Sequence, residues 1–361
     1  MTIERHSRAR QIELGRSIAA RRKIYLDARF WIIVRDTALG LHTEPAARKL
    51  LYHLRRGVAC ERLVCPISAS MFLELLKQPY NPGRRIGTAL LIDELSLGVS
   101  MISSPIVTGT EIYSFMLQAL GEVDLYPMQE LIWTKVAYVL GDVYPSLAQL
   151  SPIDELAIQK AFFDHLWDYS LSDMVKTMGD NVQLPRDFVG LSQYTNEMNA
   201  QYKDELRSFA QTYDIDLRGA IEVAGDVSAD VIKQLAEKKS GRQLAPTPDE
   251  RAASVNMCRN LLYYAFKKPE TKDTLRSLHI SASIHAAMRW DKNRKFKPND
   301  YYDFEHAIAA LSYCDVFLSE GPLCDLVTRP QLKLEGVNGC RVLSDIRAAA
   351  DHVEELSSTR E

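Results

Sequence analysis

Hydrophobic and polar positions along this chain follow two rhythms. Short apolar runs of strand composition lie towards the ends, at residues 23–27, 62–66, 315–319 and 340–343. Each borders a segment of helical periodicity. Residues 45–57 open on Pro45 and read as an amphipathic helix. Ser68 is placed to cap a helix over 69–78, and Pro79 to Gly83 break the chain before another over 84–97. Near the end, 301–313 reads as helix, 322–328 as a short helix, and Ser344 or Asp345 caps a last helix to about Leu356. The middle differs. Between Thr110 and Leu278 the patterns are helical, at 111–120, 129–141, 152–170, 190–212, 228–239 and 248–267, with few strand candidates and no fixed repeat. β-α segments that bracket a helical middle predict one α/β layer domain carrying a helical insertion, rather than two consecutive domains.

Composition narrows the class. The chain has 361 residues, 46% of them hydrophobic and 25% charged, with a formal net charge of -3. Such proportions describe a globular protein with a substantial core, and exclude disorder over most of the length. They also exclude a wholly basic nucleic-acid coat, so any nucleic-acid contact must be a local patch. Residues 1–22 form a basic segment, either an arm or a helix with a solvated face. The longest apolar clusters, such as 30–34, are far short of the roughly 18–20 residues that span a bilayer, so no membrane contact is expected. No apolar leader follows Glu4, Arg5, Arg8 and Arg10. The six cysteines are scattered without a C-x-x-C pair. Free thiols and a cytoplasmic location are the expectation.

Ligands of open α/β sheets bind beyond the carboxyl ends of the strands. Asp27 directly follows the first apolar run. Ser68 follows the second, with Glu74 in the helix behind it. Asp315 precedes the third run and Glu320 follows it. Asp303, in the first turn of the helix before that run, shares a face with His306, Ala307, Ala310 and Leu311. The alanines let this helix approach a sheet closely. Taken alone, Asn299, Asp300 and Asp303 are also what a helix start favours. Asp27 and Glu74 weigh against that simpler account.

This combination resembles the PIN-domain nucleases: a strand ending in Asp27, Glu74 after a Pro-Ile-Ser start, Asp303-Phe-Glu-His-Ala-Ile-Ala-Ala, and Cys-Asp315-Val-Phe-Leu-Ser. The resemblance covers 23–98 and 270–345. It implies a three-layer α/β/α sandwich with a parallel sheet, interrupted by a large helical insertion over 99–269 and followed by a C-terminal helix and tail over 346–361. It also implies metal-dependent hydrolysis leaving a 5′-phosphate and a 3′-hydroxyl. The family's first three acids match Asp27, Glu74 and Asp303. Its following Thr-x-Asp reads Ser319-Glu320-Gly321 here, so the fourth acid is missing. Asp315 is the first substitute and Glu320 the second.

The chemistry fits those residue types. Divalent ions lower the pKa of bound water and neutralise phosphate charge, and Mg²⁺ or Mn²⁺ takes hard oxygen ligands. Clustered acids without an ion repel one another. The cationic stretch Lys292, Arg294, Lys295 and Lys297, interleaved with Trp290, Phe296, Tyr301 and Tyr302, could grip phosphates and stack bases, or be a solvated loop with core aromatics. Arg29, Ser68 and Ser319 are further substrate-contact candidates, and His306 a second support for a metal-binding carboxylate. RNA, single-stranded, stands ahead of DNA as substrate. The alternative is a catalytically degenerate module that binds RNA or a protein. A regulatory or inhibitory protein could dock on the insertion, and a homo-oligomer stays open. Asp27-Ala28-Arg29 lacks the Asp-x-Asp of haloacid-dehalogenase phosphatases, and no P-loop, G-x-G-x-x-G or H-E-x-x-H occurs.

Overall fold

A parallel sheet organises the chain. A computed structural model describes residues 2–78, 82–123, 125–146, 149–179 and 188–358. Strands β1 (Arg22–Leu26), β2 (Leu63–Val64), β5 (Val316–Leu318) and β6 (Arg341–Leu343) pair in the order β2-β1-β5-β6, all parallel. A separate antiparallel pair joins β3 (Val99–Met101) to β4 (Trp133–Lys135). The protein is mostly helical and of the α/β class.

The sheet is buried on both faces, so its strands read as continuous apolar runs rather than alternating ones. Ile24, Leu26, Val316 and Leu318 pack towards helices Ala28–Ala38, Pro45–Ala59, Ala69–Lys77 and Ile346–Ser358. Tyr25 and Phe317 project the other way, towards helices Arg276–Trp290, Asp300–Tyr313 and Gly321–Val327. Strand parity thus distributes side chains between two helical layers.

The insertion is less separate, and less helical, than its periodicity predicts. The expected helix over 129–141 shrinks to Met128–Leu131. β4 and a 3₁₀ turn, Val136–Tyr138, follow it. Trp133, Thr134 and Val136 suit a strand, and pairing with β3 overrides the helical spacing. A boundary at 98/99 cuts through this structure, because Ser100 of β3 bridges to Ile67 beside β2. Trp133, Tyr138 and Phe163 also share one core with Tyr25 and Phe317. A distinct helical unit begins later. Helices Phe209–Ser240 and Pro248–Ala265 bury Leu217, Ile221 and Leu262 against Ile112, Met116 and Leu278. The helix expected over 190–212 divides into Val189–Tyr202 and the start of Phe209–Ser240, with Ser208 capping the latter.

The basic N-terminal segment is a docked helix, Ile3–Ser17, not an arm. Arg16 pairs with Glu130 at 2.8 Å, His6 with Asp164 at 2.9 Å, and Arg8 donates to the Leu131 carbonyl. A Cβ at Gly15 would lie 2.6 Å from Glu130 Cα, so this helix needs glycine to pack that closely. Among the described residues, no helix is long and apolar enough to cross a membrane. All six cysteines are free, and only Cys60 is exposed.

Candidate functional site

The sheet order creates a switch point. From β1 the chain steps outward to β2 on one side, while β5 and β6 lie on the other. In open α/β sheets the crevice beyond the strand ends at such a point is the usual ligand site. Asp27 follows β1 here, and Ser319 and Glu320 follow β5.

Asp27 is nearly fully buried. It caps helix Ala28–Ala38, its Oδ1 accepting from the Phe30 amide at 3.0 Å. Its Oδ2 accepts from the Ser319 hydroxyl at 2.7 Å and the Glu320 amide at 3.0 Å. Burial raises the Asp27 pKa against these hydrogen bonds, and Glu320 adds to the rise. Asp303 stands in the first turn of helix Asp300–Tyr313. Burial lifts its pKa to about 7. His306 opposes that rise, and the charges of Glu74, Glu320 and Asp27 reinforce it. Asp27, Glu74, Asp303 and Glu320 are therefore electrostatic neighbours.

His306 lies beneath them, 1% exposed. Its Nε2 is 2.6 Å from Glu74 Oε2, and its Nδ1 is 2.7 Å from the Tyr25 hydroxyl. Burial disfavours a charged ring. The hydrogen bond and charge of Glu74, with Asp27 and Asp303 beyond, outweigh it and raise the His306 pKa.

Asp315 does not belong to this group. Strand polarity puts it before β5, at the opposite end of the sheet from Asp27, which follows the neighbouring β1. It accepts from the Lys23 amide at 2.7 Å and pairs with Arg22 at 3.0 Å. Glu320, the second candidate, occupies the site end and is exposed. Ser68 and Ser319 are corrected as substrate contacts, since both are buried. Ser68 Oγ lies 2.5 Å from the Tyr25 hydroxyl, and Ser319 is spent on Asp27.

The basic stretch forms the loop into helix Asp300–Tyr313, whose first turn carries Asp303. Lys292, Lys295 and Lys297 are exposed and Arg294 is half-buried; Arg29 is exposed beside Asp27. The aromatics answer differently. Phe296 and Tyr302 are buried, and Phe296 stacks on His285, so the core account holds for those two. Sequence reasoning missed Tyr25, although strand parity puts it on the same side as Asp27. It also missed Lys77, one turn beyond Glu74, whose Nζ sits 3.5 Å from the Tyr302 ring centroid.

Among the described residues, no group of three or more His, Cys, Asp or Glu side chains forms a ready metal-ligand set. The donor chemistry nonetheless fits a hard divalent ion. Every candidate is a carboxylate oxygen, and after burial the charges of Glu74, Glu320 and Asp27 add to the rise of the Asp303 pKa. Searches against protein-family models, curated proteins and solved structures find no match to this chain.

Proposed function

We propose that this protein is a PIN-like, metal-dependent endoribonuclease that hydrolyses single-stranded RNA in preference to DNA. The observation that carries this reading is the meeting of Asp27, Glu74, Asp303 and Glu320 at the switch point of a parallel sheet, where burial, reinforced by repulsion from the other acids, raises the Asp303 pKa to about 7. Such repulsion is costly as architecture, and a bound cation relieves it.

In this reading Asp27, Glu74, Asp303 and Glu320 hold Mg²⁺ or Mn²⁺. An ion held there would supply an acidified water and charge neutralisation for phosphodiester hydrolysis. Ser319 and the Glu320 amide fix the Asp27 carboxylate, and His306 fixes Glu74. The cationic loop at Lys292, Arg294, Lys295 and Lys297, with Arg29, holds the flanking phosphates electrostatically.

A second reading, a degenerate module that binds RNA without cutting it, draws on Gly321 in the place of the family's acid and on Glu74 being tied to His306. Cleavage assays on single-stranded RNA and DNA with Mg²⁺, Mn²⁺ or EDTA separate the two. The nuclease reading expects metal-dependent cleavage that Asp27→Ala/Asp303→Ala abolishes. Cleavage that persists in that double variant would falsify the site. RNA binding with neither cleavage nor metal uptake would establish the second reading.

A further inference from the structure

We propose that Tyr25 is a positioning residue: its hydroxyl fixes the orientation of His306, which in turn holds Glu74 within the carboxylate cluster. The Ser68 hydroxyl, the Tyr25 hydroxyl, His306 and Glu74 form one unbroken chain, with spacings of 2.5, 2.7 and 2.6 Å. Tyr25 is 0% exposed and His306 1%, so no bulk water competes for these bonds.

With the His306 ring neutral, the donors and acceptors determine the direction of the chain. A carboxylate only accepts, so the ring must present Nε2–H to Glu74. In the neutral ring Nδ1 is then the acceptor, and the Tyr25 hydroxyl, 2.7 Å away, donates to it. Tyr25 spends its single proton there, and its oxygen accepts from Ser68. Each member has one consistent role, and burial keeps Tyr25 a neutral phenol able to donate. Without that hydroxyl, Nδ1 would be a buried acceptor lacking a partner. The ring would then gain by turning away from this pose. Glu74 would lose the donor that holds its carboxylate. Outer hydrogen bonds of this kind typically control ligand affinity by about 10–100-fold.

The part of the proposal that concerns metal rests on the reading of the cluster as a cation site, whereas the hydrogen-bond chain does not. Tyr25→Phe removes one oxygen and keeps the ring. Mn²⁺ titration by calorimetry should show affinity about tenfold weaker than wild type. Nitrogen-15 NMR of His306, at a pH where the ring is neutral, should show the Nε2–H tautomer with a hydrogen-bonded Nδ1 in wild type, and an Nδ1 shifted to the position of an unbonded ring nitrogen in Tyr25→Phe. Should Tyr25→Phe not fold, Ser68→Ala keeps the Tyr25–His306 contact but removes its donor. It should weaken Mn²⁺ binding about threefold and broaden the His306 signals. Wild-type Mn²⁺ affinity in the variant with an unchanged Nδ1 signal, or an Nδ1–H tautomer in wild type, overturns the proposal. If wild type takes up no Mn²⁺, the cation reading fails, and the Nδ1 measurement still decides what Tyr25 does.

Discussion

Asp303→Asn offers the most direct test of the electrostatics. The Asp303 pKa rises from 3.8 to about 7. Between those values the folded protein holds a proton that the unfolded chain has released. Stability therefore falls as pH climbs from about 4 to about 7, and the loss is complete above that window. Roughly three pK units at ~1.4 kcal/mol each bound the cost at about 4 kcal/mol. Asp303 is only partly buried, and solvent screening brings the figure to about 2 kcal/mol. Asparagine keeps the shape and discards the charge. At pH 8 in EDTA, Asp303→Asn should melt about 3 °C above wild type. At pH 4 the two should coincide. Adding Mg²⁺ should raise the wild-type melting temperature more than that of the variant, because the ion binds a folded cluster that still carries its charge. Scanning calorimetry across pH 4 to 8 reads all three quantities. A variant no more stable than wild type at pH 8, or a gap that does not change with pH, would refute the reasoning.

Three further outcomes are expected. Asp315→Asn should leave Mn²⁺ affinity unchanged and cost about 1 kcal/mol in urea unfolding, because its bonds to Arg22 and Lys23 lie at the far end of the sheet; a tenfold loss of affinity would contradict that placement. Glu111→Ala should cost about 3 kcal/mol, because the buried carboxylate accepts from the Ser277 amide and hydroxyl and from the Tyr313 hydroxyl, all of which lose their acceptor. Equilibrium unfolding checks this, and a cost below about 1 kcal/mol would mean those bonds do not form. Changing Lys292, Lys295 and Lys297 together to Ala should reduce the slope of log affinity against log salt for single-stranded RNA by about 2, at roughly 0.7 per phosphate contact; an unchanged slope in fluorescence anisotropy removes that loop from the RNA path.

The strands of the main sheet were legible because strands buried on both faces must be apolar throughout, and turn residues bound each run. β1 starts one residue before the run at 23–27 and otherwise lies in it, and β5 falls within the run at 315–319. The helix Asp300–Tyr313 was legible for a related reason: its alanines and first-turn acids are dictated locally. β3 and β4 were not. A three-residue strand in a helical neighbourhood has no periodicity of its own, and pairing across more than thirty residues defines it. For the same reason, composition does not reveal that Trp133, Tyr138 and Phe163, beyond the boundary at 98/99, join the core of Tyr25.

The sequence by itself determined the α/β class, the strand runs and the carboxyl groups available at the ends of those runs, since hydrophobic patterning and capping are local. Only the tertiary structure decided which acids meet. Asp315 and Glu320 flank the same strand, and its parallel pairing with β1 sends one to each end of the sheet. Ser68, Tyr25, His306 and Glu74, distant in sequence, become one buried chain because a strand and two helices close on the same space. Hydrogen-bond partnership and mutual charge depend on distances of a few ångströms, which packing sets and residue order does not encode position by position.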